Sequence, residues 1–446
     1  MHLVERTFEI GGIPVDLNWI KYFENEIKNR LSPDEVMLRF VITKSSKTWF
    51  VADALVLCGA KNSEIRFPRD GLGVKLRPFE DTSSFNVALI VPTGVGAVIG
   101  GHAGDAGPVV KLLSAVCDYV ITHPNVVNAS DINEIPGNAL YVEGSVLSRL
   151  LLGTIGLQPV RGNRVLVVLD DHPDEIFTNA AVNSVNAARA TYGLDCPGIV
   201  RVKKGIRLKA GYAKSGRAVG EISEIDLLLE LLQRRRHEYD AIALSSVIEV
   251  PREYHVQYFQ SLGTMVNPWG GVEAMLTHTI STLLDVPSAH SPMFEIREIA
   301  NSDPGIVDPR VAAEAVSCTF LQCILKGLQR SPRIVNNPEH GQRGLMDVCN
   351  ISCMVMPDKC IGIPTLAALM QGIPVIAVRE NVSIMENDLA RLPWKEGQLT
   401  IVENYWEAAG VIAALKSGIA PASVRRPISL VSTSILEDNV DVKILP

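Results

Sequence analysis

A chain of 446 residues, 47% hydrophobic and 20% charged, is long enough for two or three domains and too apolar for wholesale disorder. Its 42 Lys and Arg against 49 Asp and Glu leave a formal charge of -7, which argues against a general affinity for nucleic acid and leaves room only for a local basic groove. Eight cysteines without a CxxC pair follow a start, Met1 to Gly12, that lacks an apolar signal core; they read as reduced thiols of a cytoplasmic protein.

In chain order, Trp19 to Leu31 has the apolar spacing of an amphipathic helix, and Val36 to Thr43 and Thr48 to Leu57 read as strands. Ser63 to Asp81 is charged and turn-rich, so residues 1–82 are expected to form a small α+β accessory domain. Thr82 to Gly104 carries no formal charge, yet Pro92 and the glycines at 94, 96, 100, 101 and 104 make it a strand and loop rather than a membrane span.

From there apolar strands alternate with glycine turns and helical segments, the pattern of a parallel sheet covered on both faces. The expected strands are Val87 to Val91, Tyr119 to Thr122, Val165 to Leu169, Ala241 to Leu244, Cys353 to Met356 and Pro374 to Val378. The expected helices are Pro108 to Val116, Ile225 to Arg236, Val272 to Leu284, Pro309 to Gln329 (with Asp308 as N-cap), Thr365 to Gln371 and Trp406 to Lys416. Residues 83–424 thus read as a Rossmann-like α/β catalytic region, in one or two lobes, and 425–446 as an extended tail.

Three units share a pattern in which a polar or glycine loop leads through a helix to a strand ending in polar residues. They are TGVGAVIGGHAGDAG to DYVITHPNVVNAS, NPWGG to PSAHSPMFE, and PDKCIGIP to IPVIAVRENVS. Open α/β sheets bind ligands beyond the carboxyl ends of their strands, so His123 with Asn125, His290 with Ser291, and Glu380 with Asn381 are expected at one edge.

The loop Thr93, Gly94, Gly96, Gly100 and Gly101 after the first strand suits an anion, either a small carboxylate or phosphate or a dinucleotide. The acidic residue a dinucleotide's ribose would need is missing: the next strand ends in Thr122-His123-Pro124. The glycines also serve a helix that only needs to lie close on the sheet.

His123, with Asn125 and Asn128, is a candidate general acid or base flanked by amides for a substrate carboxylate, and His290 repeats the arrangement. Glu273 and Asp105 are candidate acid/base carboxylates, or else a helix-dipole partner and an N-cap; His278 reads as a packed helix residue. His102, His123, His290, Asp105, Asp170 and Asp171 have metal-donor atoms but no metal spacing, so no metal site is expected. Cys360 precedes a helix, where a thiol pKa can fall, or is a buried small hydrophobe. The basic run Lys203, Lys204, Arg207, Lys209, Lys214 and Arg217 reads as a solvated charged hairpin.

At VALIVPTGVGAVIGGHAGDAGPV, VCDYVITHPNVVNAS, NALYVEG, GGVEAMLTH, PSAHSPM, EAVSCTFLQC and IAVRENVS the chain resembles the family catalogued as domain of unknown function 3326, over roughly residues 85–424. The resemblance implies no activity or cofactor. Two departures from the family pattern, His102 in place of Tyr and Cys360-Ile361-Gly362 in place of Cys-Gly-Gly, count against an essential His102 and an anion loop at Cys360.

The reading drawn from these residues is an enzyme that binds a small anionic metabolite on the glycine loop and performs His-centred acid/base chemistry as a lyase, isomerase or hydrolase, with no cofactor required. The alternatives are an NADP-dependent oxidoreductase or nucleotide-sugar enzyme, and a non-catalytic sensor or carrier. No nucleic-acid or membrane partner is expected, and a homo-oligomer is compatible with the sequence.

Overall fold

Four of the expected strands assemble in one all-parallel sheet, ordered Leu399–Val402, Val375–Val378, Ile351–Pro357, Asn86–Leu89, Tyr119–Thr122 and Ala139–Tyr141. Its strands are continuous apolar runs such as Val87, Ala88 and Leu89, all buried, as a sheet covered on both faces requires. The structure is a computed structural model, and it describes all residues except 13, 15–17, 61–70, 130–131, 204, 318–319, 436–442 and 446. Part of the turn-rich stretch Ser63 to Asp81, along with Lys204, therefore lies outside the described residues.

A second, ten-stranded sheet is mixed. Val165–Asp170, Ala241–Glu249 and Ser288–Met293 pair in parallel at one end. At the other, His2–Gly11, Glu35–Ser45 and Trp49–Cys58 run antiparallel. The junction is the hairpin Arg207–Tyr212 and Ala218–Ser223, whose second strand pairs with the first strand of the chain through Leu3 and Ile222. The N-terminal strands therefore belong to the same sheet as residues beyond 200, and Ile361–Gly362 adds to their far edge. The basic run does form a hairpin, but Arg217 at its turn is buried rather than solvated.

Two helices tie the sheets together. Trp19–Lys28, capped by Asn18, buries Trp19, Phe23 and Ile27, and Phe23 meets Phe50 edge-on at 5.1 Å. Pro268–Leu284 begins at Asn267, whose side chain accepts from the amides of Trp269 and Gly270, and buries Val272, Met275, Leu276 and Ile280 against the large sheet.

The helix expected from Pro309 to Gln329 is instead two, Ala312–Val316 and Leu321–Arg330, with Ser317 extended between them. Asp308 does not cap it; its carboxylate holds the amide and guanidinium of Arg310. The longest helix, Glu175–Tyr192, has little apolar face, so periodicity does not announce it; Asp174 caps its start and Gly193, at φ +69°, ends it. No described helix is long and apolar enough to cross a membrane.

Candidate functional site

The carboxyl ends of the parallel strands face the large sheet across a cleft of about 390 Å³. Thr93 follows one strand, His123 and Asn125 the next, and Glu143 and Ser145 the third, while Cys360 comes from the loop after Ile351–Pro357. The opposite wall carries His290 from Ser288–Met293, together with Glu273 and His278 from helix Pro268–Leu284. The cleft thus lies where a parallel α/β sheet offers its loops to a ligand.

Five residues apart on one helix, Glu273 and His278 project about 140° from each other and reach different sheets. His278 Nδ1 pairs with Glu143 Oε1 at 2.5 Å. Glu143 is buried at the start of helix Gly144–Leu151, where its other oxygen takes the Ser145 amide at 2.8 Å and the Ser145 hydroxyl. Burial alone would raise the Glu143 pKa, but His278 and Ser145 outweigh it and hold the carboxyl below its ordinary value. Gly144 keeps His278 in place, since a Cβ there would lie 2.9 Å from His278 Cε1. A carboxylate behind one imidazole nitrogen leaves the other for chemistry in the cleft, so His278 is a functional candidate and not merely a packed residue.

On the second sheet the order is reversed. His290 is buried, with Nδ1 2.9 Å from Glu273 Oε1 and Nε2 2.7 Å from Ser246 Oγ. Both line the cleft, and Glu273, with 24% of its side chain exposed against 1% for His290, is the more open of the two.

His123 differs from its expected role as an acid or base near neutral pH. Its Nε2 accepts the Val91 amide at 3.1 Å, so the ring proton resides on Nδ1, and burial pushes its pKa down to about 4. At pH 7 it is a neutral N–H donor on the cleft wall, suited to polarising a carbonyl.

Sequence reasoning missed Glu314. Its Oε1 takes the Ala103 amide at 2.8 Å, Tyr258 Oη at 3.1 Å and Asn267 Nδ2 at 3.4 Å, and burial raises its pKa to about 7, with a smaller contribution from the charge of Glu273. Two cleft carboxyls thus sit in unlike environments, one oriented by an imidazole and one poised to hold a proton.

Asp105 lies off the cleft, and burial raises its carboxyl to about 7. A native pKa above the unfolded one contributes stability present at low pH and lost as pH rises through 7. Asp105→Asn, which cannot ionise, is therefore expected to gain on the parent as pH rises from about 4, the unfolded carboxyl value, to 8, by roughly 1–4 kcal/mol in urea titrations. A difference from the parent that does not grow over this range refutes this.

The glycine loop is engaged within the protein. The Asn381 side chain clasps the backbone N–H and C=O of Ile99 at 2.9 and 2.8 Å, and the Val98 amide bonds Val382 O. A Cβ on Gly100 would meet Val91 Cγ1 at 2.7 Å, and on Gly101 Ala97 O at 2.1 Å. Only Thr93 of the loop's named residues lines the cleft; Gly94, Gly96, Gly100 and Gly101 do not. Asn381 is buried as a loop clasp, Glu380 is exposed, and Ser291 is buried in its strand, all three off the cleft. Asn125 and Asn128 do line it, though Asn125 donates to Gly100 O and Asn128 accepts from Tyr141 Oη. His102 is buried off the cleft against Tyr258 Oη at 2.7 Å. Cys360 lines the cleft, but burial drives its thiol up to about 12, the opposite of an activated nucleophile.

A cation comes instead from the N-terminal strands. Arg39 lines the cleft and spends Nη2 on Glu5 at 2.8 Å. Its Nε and Nη1 have no hydrogen-bond partner among the described residues. Among those residues the group of donor side chains close enough to share a metal ion is His340, Asp347 and Cys349, which lies outside the cleft; there Asp347 accepts the amides of Gly341 and Cys349.

These features define an α/β protein with a parallel sheet and, at its strand ends, a largely apolar cleft that carries several titratable side chains. Residues 86–425 match the family described as "Protein of unknown function (DUF3326)", and the chain belongs to it. It is 33% identical over 344 residues, 76% of this chain and 93% of the relative, to an "Uncharacterized lipoprotein" of Synechococcus sp.. No solved structure matches the chain. The N-terminal strands that supply Arg39 precede the matched region.

Proposed function

We propose that the protein is an enzyme of small-molecule metabolism, an isomerase or lyase that moves a proton next to a carbonyl of a small anionic metabolite. The observation that carries this reading is the meeting of Glu273, Glu314 and the Glu143-backed His278 with the neutral N–H donor His123 in one cleft. In the proposed reaction Glu273 takes the proton, the His123 Nδ1–H steadies the negative charge that develops on the carbonyl oxygen, and Glu314 or His278 returns a proton at the neighbouring position. The free N–H groups of Arg39 hold the carboxylate or phosphate. This moves the anion from the glycine loop, where it was expected, to the N-terminal strands.

The test is solvent exchange. The protein is incubated in D₂O with a panel of 2-keto carboxylates, 2-hydroxy carboxylates and keto-sugar phosphates, and loss of the α-proton signal is followed by NMR. Exchange is expected on at least one panel member, and Glu273→Gln is expected to slow it about 10²–10⁴-fold. Exchange that survives Glu273→Gln unchanged overturns the assignment, and thermal stabilisation by a panel member without exchange favours a binding protein.

A further inference from the structure

Ser246, His290 and Glu273 are the three group types of a hydrolytic triad, with both hydrogen bonds at working length, 2.7 Å from Ser246 Oγ to Nε2 and 2.9 Å from Nδ1 to Glu273 Oε1. Their exposure is the reverse of a triad. Ser246 is 4% exposed, lies mid-strand opposite Pro292, does not line the cleft, and borders a small void of about 20 Å³ that also meets Asp170 and Ser245. Such a void holds about one water and no acyl group, so Ser246 is not a nucleophile. The most exposed member, and so the one that opens furthest into the cleft, is Glu273.

We propose that Ser246 is a positioning residue for Glu273, a role that rests on the acid/base reading above. Its hydroxyl donates to His290 Nε2, the imidazole proton is thereby held on Nδ1, and Nδ1–H donates to the Glu273 carboxylate, aiming it into the cleft as a base.

Two physical arguments select this direction. Ser246 Oγ has no other hydrogen-bond partner among the described residues. If Nε2 carried the proton, the serine hydrogen would have no acceptor in the protein, a loss of about 1–3 kcal/mol unless the one water that the adjoining void admits takes it. In the neutral ring that arrangement would also turn the Nδ1 lone pair toward a carboxylate oxygen. An imidazolium would orphan the same hydroxyl. The neighbouring charge on the Ser246 side is Asp170, which accepts the Val247 amide at 3.1 Å and whose carboxyl burial raises to about 6. Asp170→Asn is therefore a control that leaves the serine bond intact.

The test reads the ring nitrogens directly. The full-length protein is labelled with ¹⁵N-histidine, and the pair of resonances lost in His290→Gln identifies His290 among the nine histidines. At pH 7.5 the parent is expected to show a protonated Nδ1 and an unprotonated, hydrogen-bonded Nε2. Ser246→Ala is expected to move Nε2 to the position of an unbonded nitrogen, while Ser246→Thr and Asp170→Asn keep the parent pattern. Where the exchange assay reports a substrate, Ser246→Ala slows it about tenfold and Ser246→Thr restores it. A protonated Nε2 in the parent, or an Nε2 resonance that Ser246→Ala leaves in place, overturns the proposal. The parent spectrum decides the proton's position even if the alanine variant does not fold. A panel without exchange would sink the enzymatic reading and leave the tautomer result to be judged separately.

Discussion

Replacing Arg217 with Met is expected to destabilise the protein by about 3–5 kcal/mol, because it strands the buried Asp53 carboxylate and leaves the buried Glu5 to Arg39 alone. Arg217, Glu5 and Asp53 are 3%, 4% and 1% exposed. Arg217 Nε donates to Asp53 Oδ2 at 3.1 Å and Nη2 pairs with Glu5, which also takes Arg39. Asp53 is further held by Thr7 Oγ1 at 2.7 Å. Burial pushes the Glu5 carboxyl up, but Arg217 and Arg39 prevail and hold it below its ordinary value. A depressed carboxyl contributes stability above its unfolded pKa, about 4.3, and loses it as pH falls further. The deficit of Arg217→Met is therefore largest near pH 8 and narrows toward pH 4, where a stranded carboxylate escapes by protonation. Urea titrations at both values read this directly, and a midpoint within experimental error of the parent at pH 8 would refute it. The cluster joins residues 5, 39 and 53 to residue 217, so the same variant should loosen Arg39 in the cleft and weaken the anion binding proposed for it.

Elements carried by a single apolar run were legible. Tyr119 to Thr122 has the expected limits, and Thr365 to Gln371 lies inside the observed helix Ile363–Gln371. Such strands and helices are decided by local pattern, which needs no knowledge of partners. Of the three pairs expected to converge, His123, Asn125 and His290 line the cleft, whereas Ser291, Glu380 and Asn381 do not; His290 reaches it from mid-strand rather than from a strand end. Pairings between residues far apart were not legible. Glu143 lies two residues beyond a short strand, as the cap of the helix that follows, and His278 sits on a helix face that periodicity marks as ordinary. Only their 2.5 Å approach across 135 positions gives either a role. Glu314 was hidden by the expected continuous helix from Pro309; the break at Ser317 leaves Glu314 on a short helix against Tyr258 and Asn267. The glycine loop misled because glycine answers two demands with one residue type: an exposed backbone for a ligand, or room for close neighbours. The atoms that a Cβ would meet at 2.1 Å on Gly101 and 2.7 Å on Gly100 decide for the second.

The same steric test singles out Gly271, and Gly271→Ala is expected to cost about 3 kcal/mol or more. A Cβ at this position would lie 2.2 Å from Ala218 O and 2.4 Å from Ala218 C, backbone atoms of the large sheet. Nothing there can rotate away, so either helix Pro268–Leu284 lifts or the strand Ala218–Ser223 bends, and both are held in a close-fitting core through Val272 and Ile222. Opposite it, a Cβ on Gly220 would meet Lys209 O at 2.4 Å and Val272 Cβ at 2.8 Å, so the contact is tight from both sides. Gly107→Ala is the control: a Cβ there meets nothing within 4 Å, and the variant should melt with the parent or slightly above it. The functional consequence follows from the helix's cargo. Glu273 lies two residues beyond Gly271 and His278 seven, so a lift of even a few tenths of an ångström stretches the 2.9 Å bond to His290 and the 2.5 Å pair with Glu143 at once. Gly271→Ala should therefore lower the melting temperature and, in protein still folded well below it, perturb the His290 and His278 nitrogen resonances together. A variant that is destabilised while both histidines keep their parent spectra would show that the strand yields rather than the helix, and would separate the stability of this contact from the geometry of the cleft.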